Sequence, residues 1–312
     1  MDLPAVPEGV ARAFTPSHVE LPLPEAHRFP ISKYARLAKR LRELGWQVDD
    51  APSAPTEDLG RVHTSDYLHA LKTCTLDRKA ERKLGFPQSA ALWQRSLRSV
   101  GGTLAAFHDA LERGYGVNLA GGTHHAYPGH GEGFCVFNDY AVAVRRAFHY
   151  GLAKKFFIID LDVHQGNGTA KIFEDDDRVF TLSVHGARNY PFQKERSDRD
   201  IPLDDGIEDE EYLELIRAEL PPLMQEVAPD VVLYIGGVDV LASDRFGRMA
   251  LTQEGVRRRD RFVFELCKGA GVPLVYTMGG GYQKDIEVTL AGHVAGLQEL
   301  RGVMVNTSHT KS

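Results

Sequence analysis

Cysteine is scarce in this chain of 312 residues. The three present, Cys74, Cys135 and Cys267, are odd in number and show no Cys-x-x-Cys spacing. That excludes a disulfide framework and suits a reducing compartment. Each reads as a small buried apolar residue rather than a nucleophile. Also missing is an apolar run of about 20 residues, the length that spans a bilayer. The opening MDLPAVPEGVARAF has no basic stretch followed by an apolar one, so no secretory signal is expected and the cytoplasm is the expected location. Positive charge is in deficit: 37 Lys and Arg face 43 Asp and Glu, a net charge of −6. That argues against direct binding of nucleic acid or an anionic membrane. There is no internal repeat and no low-complexity tract. The apolar share, 43%, and the charged share, 26%, are those of a folded globular protein rather than a disordered one.

The first 30 residues are rich in Pro and lack periodicity, which predicts an extended arm across the surface. A helix is expected over 33–45, with Ser32 as N-cap and Gly45 as its stop signal. Residues 65–74 and 88–113 also carry helical spacing. Five short apolar runs then follow at 115–120, 155–160, 178–184, 230–236 and 273–278. Helical stretches are expected at 138–151, 166–174, 208–227, 252–269 and 284–300. Strands apolar on both faces, alternating with helices, indicate a mostly parallel sheet covered on both sides. The expected fold is a three-layer α/β/α sandwich forming one domain over 1–312, with 303–312 as a flexible tail.

Open α/β sheets bind ligands beyond the carboxyl ends of their strands. The five runs end in GGTHH, DLDVHQGNG, His185, GGVD and GGGY. Metal-capable groups therefore gather at one rim. Positions two apart on a strand share a face, so Asp162 and His164 can point at one cation, with Asp160 behind them. Asp239 would complete a set of two carboxylates and one imidazole with an open position for water, the pattern of a catalytic zinc site. Fe(II) would also suit these donors, and a structural ion-pair network is the alternative. His124 and His125 alone would read as one core and one surface histidine. Asp160 and Asn167 change that, because a base imidazole needs its far nitrogen held by an acceptor. Asp160 could hold His124 and Asn167 could hold His125, leaving His125 neutral as general base. Tyr282, after three glycines, is either a packed ring or an oxyanion donor. Phe134, beside Gly133 in a Gly-rich loop, is either a channel wall or a core residue. The basic run RRRDR at 257–261 reads as a solvated helix face, and His185 is left open.

Taken in order, GGTHHA, GEGFCVFND, DLDVHQGNGT, GGVDVLASDRFG and MGGGYQK resemble the histone deacetylase family, within the arginase/deacetylase fold. The match runs from HRFPISKY at 27–34 to GGGYQKD at 279–285. ARNYPF, DGIEDEEYL and GGGYQK are most similar to the class IV branch and related bacterial deacylases. The resemblance implies zinc on Asp162, His164 and Asp239, a histidine pair of His124 and His125 for electrostatic and acid/base work, and Tyr282 as carbonyl polariser. It also implies potassium near Asp160, Asp162, His164, Ser183 and Val184. Asn167 departs from the aspartate of class I members. The second aromatic wall of the class I channel has no clear counterpart, and Tyr190 is the residue assigned to it. Ureohydrolases of the same fold hold two manganese ions through extra aspartates, where this chain has Gly166 and Leu241, so one catalytic metal is expected. The expected activity is a zinc-dependent lysine deacylase, a hydrolase acting on an acylated lysine protein or peptide. The alternatives are hydrolysis of an acetylpolyamine or other small acylated amine, and a non-catalytic acyl-lysine binding module.

Overall fold

A computed structural model describes residues 3–305 of the chain. The elements in chain order are β1 (Arg12–Thr15), α1 (Ser32–Glu43), β2 (Gln47–Asp50), α2 (Thr56–Leu59), α3 (Ser65–Thr73), α4 (Arg78–Leu84), α5 (Ala90–Arg113), β3 (Tyr115–Asn118), α6 (Asp139–Tyr150) and β4 (Phe156–Asp160). They continue with α7 (Asn167–Phe173), β5 (Val179–Gly186), β6 (Arg199–Leu203), α8 (Asp209–Val227), β7 (Val231–Ile235), α9 (Gln253–Ala270), β8 (Leu274–Thr277) and α10 (Ile286–Leu300), and a π-helical turn covers Arg301–Val305. The eight strands form one open sheet in the order β2-β1-β3-β8-β7-β4-β5-β6. Every pairing is parallel.

Alternation along the central strands builds the three layers. In β4, Phe157 and Ile159 join a core with Leu213 and Ile216 of α8, Val263 and Phe264 of α9 and Leu297 of α10. Their neighbours Phe156 and Ile158 face the other way, into a core with Ala106 and Ala110 of α5 and Tyr140 and Val144 of α6. Strands buried on both faces carry no polar alternation, which is why five of them read as continuous apolar runs. A third cluster, including Leu71, Leu84, Trp93, Leu97 and Phe137, fills the space under the loops around the site.

Three strands have no such run, and each has a local reason. β1 is only four residues long and contains Arg12, buried at 3% exposure and paired with Asp109 of α5. It lies inside the Pro-rich segment, so the expected surface arm over residues 1–30 is corrected: Arg12–Thr15 are buried in the sheet between β2 and β3. β2 and β6 are edge strands, where polar residues and Pro202 are tolerated because one side of the ladder is unpaired. Ser32 begins α1 but makes no side-chain cap; the N-cap position is Ile31. Elsewhere Ser89, Asn138 and Thr252 do cap α5, α6 and α9. Of the expected tail 303–312, Val303, Met304 and Val305 pack against the core, and 306–312 lie outside the described residues. The expected solvated face at RRRDR is corrected: Arg259 and Asp260 are fully buried and paired with each other, Arg257 and Arg258 are half-buried, and Arg261 is exposed.

Helix α5 lies very close to β3. A Cβ on Gly116 would sit 1.7 Å from the backbone oxygen of Ala106, so only glycine permits this approach. Gly116→Ala is expected to destabilise the fold by about 1–3 kcal/mol, read as a lower urea midpoint with an unchanged slope. An unchanged midpoint would contradict the packing described.

Candidate active site

Asp160 closes β4, and the chain then runs through Asp162 and His164 to Asn167, the first residue of α7. The loop after β3 carries His124 and His125, the loop after β7 carries Asp239, and the loop after β8 carries Tyr282. All leave the same carboxyl edge of the sheet. Ligand atoms of Asp162, His164 and Asp239 lie within 4.8 Å of one another, and all three residues are buried. His164 Nδ1 is 3.0 Å from Asp162 Oδ1 and 3.2 Å from Asp239 Oδ2.

The backbone shapes this cradle. The Gly280 amide donates to Asp162 Oδ2 at 2.6 Å, and the Val163 amide donates to Asp239 Oδ1 at 3.0 Å. A Cβ on Gly280 would lie 1.8 Å from Asp239 Oδ2, so the glycine triplet is needed for space. Asp239 Oδ2 itself is buried without a hydrogen-bond partner. A buried carboxylate oxygen without a hydrogen bond is costly, and burial together with the charge of Asp162 pushes Asp239 up to about 7 despite the nearby His164. A divalent cation among these three donors would satisfy that oxygen and reverse the shift. Two carboxylates and one imidazole suit zinc, with iron(II) as a second fit. The other grouping among the described residues, His108, Asp109 and Glu112, is on α5, where Asp109 already pairs with Arg12.

The two adjacent histidines have opposite environments. His124 Nδ1 is 2.6 Å from Asp160 Oδ2. Burial opposes its charge, but Asp160 and Asp162 outweigh burial and raise it to about 9. His125 Nδ1 donates to Asn167 Oδ1 at 2.7 Å. Burial and the neighbouring His124 and His164 hold His125 well below its ordinary value, so it stays neutral with Nε2 free. Gly133, Phe134, Tyr190 and Tyr282 line a mouth of about 650 Å³ that reaches His125 and His164. The Tyr190 ring packs edge-on to His125 at 5.0 Å, and Phe134 and Tyr282 rings are 6.1 Å apart. Burial and the charges of Asp162 and Asp239 push the Tyr282 phenol well above its usual range, keeping it a donor. Phe134 holds φ +67°, an unfavourable conformation for a bulky residue, fixed by its amide bonding to Leu84 O at 2.9 Å. Asp160 pairs in register with Ser183, and Val184 follows it on β5, so three of the residues implied for a monovalent cation lie on adjoining strands, while Asp162 and His164 lie in the loop after β4. His185 is buried, bonded to Ser183 Oγ at 3.0 Å.

Several residues at the site were not anticipated. Glu132, inside the GEGFC motif, accepts from Asn167 Nδ2 and from the Tyr190 hydroxyl, both at 2.7 Å, and pairs with Lys83 at 2.5 Å. Against the effect of burial, bonds from His130, Lys83, Asn167 and Tyr190 hold it well below the carboxylate range. A lone Glu between two glycines was the only sign of it in the sequence. Arg259 donates to the backbone oxygens of Leu161 at 3.2 Å and Gly237 at 2.8 Å, bracing the two loops that carry Asp162 and Asp239. Lys33 is fully buried beside Tyr282, its Nζ 5.3 Å from the ring centre, and burial lowers it to about 8 despite Asp239, Asp162 and Asp244. Phe246 adds a further aromatic wall, 5.0 Å from the Tyr282 ring.

The fold and this constellation together define the arginase/deacetylase class of α/β proteins. Residues 27–297 match the histone deacetylase domain, and the chain belongs to the histone deacetylase family. It is 45% identical over 289 residues to an uncharacterized protein of Picosynechococcus sp., covering 91% of this chain and 96% of that protein. Histone deacetylase 2 of Arabidopsis thaliana is 33% identical over 284 residues, covering 87% of this chain and 73% of that protein. Human histone deacetylase 1 is 30% identical over 252 residues, 73% of this chain and about half (51%) of the human protein. Among solved structures, an HDAC homolog complexed with SAHA superposes with a TM-score of 0.80 at 25% identity, covering 94% of this chain and 84% of that one. The HD domain of HDA15 shares the fold, with a TM-score of 0.78 at 23% identity over 94% of this chain and 89% of that one. Among the described residues no helix is long and apolar enough to cross a membrane.

The loop that presents His124 and His125 is braced by His63. Its Nδ1 donates to Tyr127 O at 3.0 Å, and its Nε2 accepts from the Asn138 amide at 3.1 Å. Only the neutral ring can do both. Burial lowers His63 to about 4 from 6.5, so its contribution is complete above pH 6.5. Below that the unfolded chain takes up the proton first, and stability falls until about pH 4. His63→Gln is expected to remove of order 3 kcal/mol of this acid-linked loss. Urea midpoints measured from pH 7 to pH 4 would show a flatter pH dependence in the variant; identical slopes would disprove the assignment.

Proposed function

We propose that the chain is a metal-dependent amidohydrolase that removes acyl groups from the side-chain nitrogen of lysine in proteins or peptides. The observation that carries this reading is the convergence of Asp162, His164 and Asp239, with an Asp239 oxygen that makes no hydrogen bond, at the foot of a mouth that also holds His125 and Tyr282. When bound by these three residues, a divalent ion such as zinc or iron(II) would supply Lewis-acid polarisation of the amide and lower the pKa of water from about 15.7 toward about 7.

The chain's own groups do the rest. The neutral Nε2 of His125 takes a proton from the attacking water. Asn167 fixes the tautomer by accepting from Nδ1. The Tyr282 hydroxyl donates to the carbonyl oxygen as charge develops there. His124, held charged by Asp160, stabilises that negative charge. The proton gained by His125 passes to the leaving amine, which departs poorly as an anion. Phe134 and Tyr190 flank the acyl chain and exclude water. We assign a structural potassium ion to the segments around Asp160, Asp162, His164, Ser183 and Val184 by family resemblance. Free cysteines and the absence of a membrane-crossing helix among the described residues fit a cytoplasmic protein. A binding module without activity would not need the full set of acid, base and donor groups. No carboxylate lines the mouth, which disfavours a cationic acetylpolyamine.

Hydrolysis of a fluorogenic acetyl-lysine peptide is expected, abolished by a chelator and restored by one equivalent of zinc or iron(II). Turnover that survives metal removal would refute the proposal. Tyr282→Phe is expected to lower kcat by about 10²–10³, with metal content unchanged; wild-type turnover in that variant would remove the donor role.

A further inference from the structure

Six cationic side chains line the mouth: Arg28, Arg82, Lys83, Arg188, Arg245 and Arg248. No Asp or Glu is among its lining residues, in a chain whose net charge is −6. All six are exposed. They come from four separate segments: the N-terminal stretch before α1, the end of α4, the loop after β5 and the loop after β7. Compensation is thin. Glu132 lies buried behind Lys83 at 2.5 Å, and Asp205 is shared by Arg188 at 3.7 Å and Arg248 at 3.3 Å. Among the described residues no carboxylate lies within 4.0 Å of the guanidinium of Arg28, Arg82 or Arg245.

The rim is also held in shape. Arg245 donates through Nε to Tyr282 O at 2.7 Å and through Nη2 to Arg28 O at 3.1 Å. Arg28 and Arg245 lie 5.9 and 5.5 Å from the centre of the Phe246 ring. Cations gathered at a rim produce a positive potential at the entrance, and uncompensated charge there steers and selects a partner of opposite sign.

We propose that the mouth selects acyl-lysines flanked by acidic residues. This rests on the deacylase reading and narrows its substrate class. An acyl-lysine side chain is neutral and enters the aromatic channel without a charge preference. The residues on either side of it, spaced about 3.5 Å apart along an extended chain, stay on the rim. Cations spread over four segments suit several carboxylates along a peptide better than one compact anion. A lysine- or arginine-rich segment meets like charge, as does a polyamine.

The test uses three peptides of equal length around one acetyl-lysine, with Asp/Glu, Gly/Ser or Lys/Arg flanks, and N-acetylspermidine as a fourth substrate. Exposed ion pairs change affinity about two- to fivefold each. The value of kcat/KM is therefore expected to fall from acidic to neutral to basic flanks, by roughly tenfold or more across the series. Raising the ionic strength is expected to narrow the gap, because exposed charges are screened. In the double variant Arg28→Gln, Arg82→Gln the ratio of acidic to neutral peptide is expected to drop several-fold. Equal or preferred turnover of the basic peptide or of N-acetylspermidine would overturn the proposal, as would a ratio indifferent to salt and to the variant. Failure to hydrolyse any of the four would strike the deacylase reading instead. Fluorescence anisotropy of the same labelled peptides then decides the inference: tighter binding of the acidic peptide supports it, and equal or weaker binding overturns it.

Discussion

Asp160, Asp162 and Asp239 are buried together at the carboxyl edge of the sheet, and carboxylates packed so closely need positive partners. The structure surrounds them with cations and directed donors. His124 bonds to Asp160, His164 sits between Asp162 and Asp239, and Lys33 lies buried nearby. Arg259 fixes the backbone beneath by bonding to the carbonyl oxygens of Leu161 and Gly237. Yet Asp239 Oδ2, 3.2 Å from the His164 ring, makes no hydrogen bond. The scaffold thus holds concentrated negative charge that is incompletely neutralised, which is the electrostatic condition a divalent cation meets. Glycine backbone at 237 and 280 gives the room for it, since side chains there would strike Asp162 and Asp239.

From that charge cluster outward, bonding partners separate the roles of otherwise similar groups. The two histidines are neighbours in sequence, their rings 4.1 Å apart, but one meets a carboxylate and the other an amide. His124 is therefore kept charged and His125 neutral. Asn167 is in turn oriented by Glu132, which also holds Tyr190 and Lys83. One buried carboxylate so ties Asn167, the partner of His125, to Tyr190 and to Lys83 at the rim. The strained backbone of Phe134 follows from the same loop, which must turn sharply between Gly133 and Cys135 to place a ring at the entrance.

The electrostatics of the entrance differ from those of its foot. Carboxylates dominate where a cation would sit, while guanidinium groups crowd the rim. Net charge describes neither. Under the proposed function, this division would let a neutral side chain enter while neighbouring charges are read outside, with the chemistry and the choice of partner resting on different residues.

Much of this was legible in the linear chain. Buried parallel strands are apolar on both faces, so β3, β4, β5, β7 and β8 announced themselves, and their ends pointed to the residues that converge. Motif order supplied the family. β1, β2 and β6 were not legible, because a four-residue strand with a buried Arg12 and two polar edge strands lack the periodicity that burial on both faces imposes. Nor could spacing reveal Glu132, Arg259 or Lys33, whose partners lie far away in sequence: a lone charged residue reads as solvated until the fold buries it. The clustering of six cations at the mouth belongs to tertiary structure alone, since they come from four distant segments of an acidic chain. Sequence thus determined the layers and the residues that converge beyond the strand ends, through local patterns of burial and spacing. Tertiary packing decided which charges are shared, which are left unpaired and which face the substrate, because those depend on distances that no local pattern encodes.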